Sequence, residues 1–232
     1  AETWKGDGKL DPTRGTNGPL SVSPTRLKRD IVDRWIDAAV AAGFSRNPDY
    51  NGENQEGVGY FQLTLDKGRR CSSAAAYLKP IRSRQNLTVI THAQAEKVII
   101  REGRAKGIRV NIKGKTQDIT ARREVILSAG AIGSPQILML SGVGDAEALT
   151  RHGVNVRHNL PGVGKNLQDH LQARPIFKTN LSTINTETNN FIKQGIIALQ
   201  YALLQTGPMT MAASLGAAFL KTNSRLETPD IQ

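Results

Sequence analysis

The sequence predicts an α/β chain in which a β-rich middle block is flanked by segments carrying helices. Three observations predict it. Between Asn86 and Ser128, short runs rich in Val, Ile and Thr succeed one another at strand length. Ser23 to Gly43 and Thr188 to Leu204 instead carry apolar residues at helical spacing. The last strand-like run, Glu124 to Ser128, passes straight into small residues and a helix start.

Taken in order, the first twenty residues are rich in Gly, Asp, Thr, Asn and Pro without a period, and read as loop. A helix is expected next. Ser23 is its cap, Pro24 its tolerated first residue, and Leu27, Ile31, Trp35 and Ala39 one face, with Val32 and Ile36 beside it and Gly43 as the stop. Phe44 to Gly59 is polar; Tyr60 to Leu65 suits a short strand, and Ser72 to Lys79 a helical turn or two that Pro80 ends. The middle block then reads as strands over 87–90, 95–100, 107–112, 117–121 and 124–128, with Lys113-Gly114-Lys115 as a hairpin tip. Ser134-Pro135 start a helix that Gly142 stops, and a second short helix runs from Asp145 to His152, closed by Gly153. LPGVGKNLQDH is a turn-rich linker. Beyond it a strand is expected over 173–179, a helix over 188–204 ended by Gly207-Pro208, and a strand or buried segment over 212–220.

With 232 residues the chain has enough length for a substantial core. Cys71 is the single cysteine, so neither an internal disulfide nor a cysteine-based zinc site is available. No basic segment followed by an apolar one opens the sequence, and its longest apolar stretches fall short of a bilayer span. A cytoplasmic location is therefore expected. The formal charge of +11 raises a polyanion-binding reading. The basic residues lie in scattered pairs, however, and aromatics make up only 5%, so no stacking platform for nucleic acid is visible.

Motifs that would carry chemistry are mostly absent. A dinucleotide-binding G-x-G-x-x-G is missing: GVG occurs at Gly57, Gly142 and Gly162, each without the third glycine, and each reads as a turn or helix stop. Gly114-Lys115-Thr116 imitates the end of a phosphate loop, but Arg109 stands where the first glycine belongs. The four histidines include no pair spaced for a helical metal site, and no metal is assigned. Cys71, between Arg70 and Ser72, is read as a structural thiol.

What remains is GAIGSPQILMLSGVG, Gly130 to Gly144. It resembles the second signature of the glucose-methanol-choline oxidoreductases in Gly130, Ala131, Ser134, Pro135, Ile137, Leu138, Ser141, Gly142, Val143 and Gly144. RREVILSAGAI, NLTVITHAQAEKV, GRRCSSAAAYL and LPGVGKNLQDH are similar to further blocks of that family in the same order. The likeness is closest to choline dehydrogenase-like bacterial members.

The resemblance implies a partial FAD-binding, Rossmann-like domain interleaved with part of an α+β substrate-binding domain. Residues 1–70 would be a substrate-domain segment with connecting loops, 71–161 an FAD-domain segment, and 162–232 a second substrate-domain segment. It also implies FAD as cofactor and a small primary alcohol as substrate. Oxygen or a peripheral membrane electron carrier would be the acceptor, so a membrane-associated location is the second expectation. In such enzymes a base takes the alcohol proton while hydride passes to the flavin, leaving an aldehyde. The aligned cofactor contacts are Ala95, a backbone contact to adenine, and Ser128, Ala129, Gly130 and Ala131, small residues against which the adenosine half lies. Ile137, Leu138 and Leu140 are core, and Ser134 a cap. The glycine loop and acid near the family's start and the catalytic block near its end have no counterpart here. The chain resembles an internal fragment, no catalytic residue is assigned, and His170 is read as structural. The rival readings are a non-catalytic folded module that binds a protein partner and a basic polyanion binder.

Overall fold

A computed structural model of the chain describes residues 2–6, 13–212 and 214–232. It divides into two compact units: residues 1–87 together with 177–232, and residues 88–176. The inserted unit thus begins and ends later in the chain than the 71–161 block expected from the resemblance. Cys71 belongs to the outer unit, where its buried Sγ accepts the Ser21 N–H at 3.4 Å.

In the outer unit, Glu2–Trp4 pairs in parallel with Leu20–Pro24, whose far end pairs antiparallel with Gln62–Leu63. Two of the expectations fail here. The opening segment is not loop throughout, and residues 1 and 7–12 of it lie outside the described residues. Ser23 and Pro24 end a strand rather than start a helix, because antiparallel pairing with Gln62–Leu63 claims them first. The helix runs over Asp30–Ala41, and the Tyr60 hydroxyl accepts the Arg29 N–H at 3.2 Å just before it. Its buried residue is Ile36, at 0% exposure, while Trp35 on the expected inner face is 44% exposed. Gly43, with φ +98°, follows as expected.

Gly57–Tyr60 is also a strand, not a turn, and pairs antiparallel with Gly216–Phe219. Glycine is required at Gly59 by close approach: a Cβ there would stand 2.3 Å from the Asn47 carbonyl oxygen. The expected 212–220 segment shrinks to Gly216–Phe219, residue 213 lying outside the described residues. The helix near the C-terminus is Phe191–Leu204, capped by Asn190, whose Oδ1 accepts the Lys193 N–H at 2.8 Å. Residues 74–78 and 79–81 form the expected helical turns.

The inserted unit is a three-stranded antiparallel meander, Ala93–Arg101, Arg104–Ile112 and Lys115–Thr120, carrying the Gly130–Leu140 helix. Its two tight turns put Glu102-Gly103 and Lys113-Gly114 at positive φ, the pattern that matches strand twist in two-residue hairpins. Val98, Val110, Ile137 and Leu149 form its buried core. The Ala146–Arg151 helix starts at Asp145, whose Oδ1 accepts the Ala148 N–H at 2.9 Å. That bond holds the half-buried Asp145 carboxyl below the usual carboxylate range.

Three expected strands are not strands: 87–90, 124–128 and 173–179. Each has strand-forming residues, but a strand exists only where another backbone satisfies its edge, and no described segment pairs with these. Ile126, Ile176 and Phe177 accordingly remain largely exposed. The 130–140 helix also begins four residues before Ser134, with Pro135 inside it, where one backbone hydrogen bond is forgone. Among the described residues, no helix is long and apolar enough to cross a membrane.

Candidate functional site

The residues singled out for a cofactor fall in the inserted unit. Ala95 lies on the 93–101 strand opposite Val110, one step before the register shifts between Ala95 and Lys97. Ala129 is the cap residue of the 130–140 helix, and its N–H is donated to Ser134 Oγ at 2.9 Å. The two alanines line one cleft of about 860 Å³ between strand and helix. Gln94, Gly133 and Gln136 are on its wall as well. Ser128, Gly130 and Ala131 are exposed beside it and do not line it.

A helix of this length leaves its first amides without intrahelical partners, so the backbone at 130–133 presents donors at a slightly positive terminus. Gly130 sits there with φ +82°, a conformation that L side chains rarely adopt, and an added Cβ would find no atom within 4 Å. The cleft has small residues Ala95, Ala129 and Gly133 on its wall beside Gln94, Gln136, Ile137 and Leu140, and carries Glu96 as well as Lys97 and Arg109. Such a wall accommodates a flat heterocycle against methyl groups and an anionic group near the amides.

Ser141 fixes the strand and helix relative to each other. Its buried Oγ accepts the Val98 N–H at 2.7 Å and donates to the Ile137 carbonyl at 2.5 Å. Sequence reasoning placed Ser141 in the signature without a role. It also passed over Gly133 and Gln136, which share one helical face with Ala129 and Leu140. That spacing is visible once the helix starts at Gly130 rather than Ser134. His170 lies in an exposed irregular stretch, where its N–H is donated to Asp169 Oδ1 at 2.8 Å. It has no described side-chain partner that would make it a base.

Residues 1–172 match the GMC oxidoreductase family. An oxygen-dependent choline dehydrogenase of Photobacterium profundum is 37% identical over 235 residues, covering 100% of this chain and 41% of that protein. An alcohol dehydrogenase [acceptor] of Pseudomonas putida is 39% identical over 221 residues, covering 94% of this chain and 40% of its own. The chain thus spans about two fifths of the length of these curated relatives. Among solved structures, an FAD-dependent oxidoreductase from Chaetomium thermophilum superposes with a TM-score of 0.78 at 24% identity, over 94% of this chain and 41% of that one. At that identity the likeness speaks for the fold.

Proposed function

The chain belongs to the GMC oxidoreductase family, and from that premise we propose that it is the adenosine-facing part of an FAD-dependent enzyme that oxidises a primary alcohol of the choline type to the aldehyde. The observation that carries the reading is the convergence of Ala95 and Ala129 on one cleft, with the open backbone of Gly130 at its mouth. When bound, FAD supplies hydride acceptance. The chain's own residues bind and orient. Ala95 and Ala129 are small enough to let the adenine lie against backbone, the 130–133 amides face its phosphate side, and Ser141 holds strand and helix at the spacing the cleft needs.

No described residue is assigned as the base that takes the alcohol proton, and the 232 residues alone are expected not to turn over alcohols. The test is a visible spectrum of the purified chain with and without FAD, a dye-reduction assay, and amide chemical shifts on titration with AMP. The expected result is a colourless, inactive chain whose Ala95 and Ala129 amides move with AMP. Alcohol-dependent dye reduction, stoichiometric flavin carried through purification, or AMP shifts elsewhere would overturn the reading.

A further inference from the structure

On the far side of the 130–140 helix's C-terminus lies a second cleft of about 610 Å³, bounded by the 93–101 strand, Leu140 to Gly142 and residues 153–157. Lys97, Arg101, Arg109 and Arg157 stand on its wall, and no carboxylate does. Arg109 is engaged by Asp118, with bonds of 2.7 and 2.9 Å. Among the described residues, Lys97, Arg101 and Arg157 have no ion-pair partner within 4 Å.

The strand register adds an independent observation. Lys97 is directly opposite Arg109, and Arg101 directly opposite Arg104. Like charges at facing positions of an antiparallel ladder destabilise it, and nothing about the hairpin requires them. Asp118, facing Arg109 on the next strand, is the nearby carboxylate and also acts on Lys97 and Arg101 through space, so one negative charge stands among these cations. The cations are arranged as if an anion completes them.

We infer that this cleft is a binding site for a small phosphate-bearing anion of inorganic diphosphate size, distinct from the Ala95–Ala129 cleft. Its volume is that of a small-ligand pocket, and its cations come from three separate segments, the 93–101 strand, the 104–112 strand and residues 153–157. Guanidinium groups match phosphate oxygens in pairs. No aromatic residue lines it, so a base-stacking single strand of nucleic acid is not the ligand the wall fits. Lys97 and Arg109 border both clefts, whereas Arg101 and Arg157 belong to this one alone.

The experiment is calorimetric titration of the 232-residue chain with inorganic pyrophosphate near physiological ionic strength, repeated with the Arg101→Gln/Arg157→Gln double variant and with Arg70→Gln as a remote control. Saturable binding is expected, weakened at least tenfold by the double variant and unchanged by the control. In phosphate-free buffer Arg101→Gln should raise Tm slightly by relieving the facing charges, and pyrophosphate should raise Tm of the parent but not of the double variant. Vesicles containing phosphatidic acid, competed by pyrophosphate, would identify a lipid headgroup as the phosphate source. Binding of pyrophosphate without vesicle binding would identify a soluble one. No binding at millimolar pyrophosphate, binding that survives the double variant, displacement of pyrophosphate by AMP, or duplex DNA binding that pyrophosphate does not displace would each overturn the inference.

Discussion

The two units hold themselves together in different ways. The outer unit is stitched from distant parts of the chain: Gly57–Tyr60 pairs with Gly216–Phe219, and Arg29 pairs with Glu187. Arg14, buried in this unit, is bonded to Asp49 at 2.6 and 3.1 Å and to Glu2 at 3.2 Å, and lies 4.8 Å from the Trp4 ring. The inserted unit is built from neighbours, a meander of consecutive strands followed by the helix that packs on the first of them. The contrast teaches that the candidate ligand clefts sit in the part whose contacts are mostly short-range, while the long-range part supplies a buried charge network. Local contacts close with little chain entropy; long-range ones need strong mutual satisfaction to form.

The comparison is best broken at the outer unit's packing. Ile36→Ala removes a fully buried side chain and should cost about 3 kcal/mol. Hydrogen exchange should rise in residues 1–87 and 177–232 and stay unchanged in 88–176; uniform loss of protection would mean that the two units unfold as one.

Arg14→Ala should cost about 2 kcal/mol, below the usual penalty for breaking a buried pair because Glu2 and Asp49 remain roughly a quarter exposed. It should act on the same unit. The same network carries a pH signature. Burial pushes the Asp49 carboxyl up, but the hydrogen bonds and charge of Arg14 prevail and hold it below the ordinary carboxylate value. A folded value below the unfolded one means that this stabilisation is complete above the ordinary carboxylate pKa and is lost as pH falls through the lowered value. Acid unfolding monitored by exchange should therefore begin earlier in Arg14→Ala than in the parent.

Ser141→Ala leaves the Val98 N–H buried without its acceptor and should cost about 1–2 kcal/mol, this time in the inserted unit. It should also weaken the AMP-induced shifts at Ala95 and Ala129, since strand and helix lose their tie. The smallest effect is expected at Asp145→Asn. Protection of the 146–151 helix in the parent should fall as pH drops through the lowered Asp145 value, and the variant should lack that step. A pH-independent helix in the parent would remove the cap from the account.

Legibility in the sequence follows the same division. The meander strands, the Lys113-Gly114 turn and the Asp145 cap were readable because each depends on a few adjacent residues. Helix boundaries were not: Ser23-Pro24 has the chemistry of a helix start and is a strand end, because Gln62–Leu63 pairs with its backbone. The strand expected at 124–128 has the right residues and no described backbone beside it. Of the cofactor candidates, Ala95 and Ala129 meet at a cleft, whereas Ser128, Gly130 and Ala131 stand outside its wall.

By itself the sequence determined the family, through ordered blocks around GAIGSPQILMLSGVG, and the α/β class, through the periods and turn residues of its segments. Only the tertiary structure decided that Ala95 and Ala129 line one cleft, that Ser141 ties Val98 to the helix, that Arg14 is enclosed by Asp49 and Glu2, and that Lys97, Arg101 and Arg157, without an ion-pair partner among the described residues, border the second cleft. The physical reason is one of range. A turn or a cap is specified by groups a few bonds apart, whereas partners far apart in sequence are chosen by which packing satisfies buried polar groups and fills space, and no local period encodes that choice.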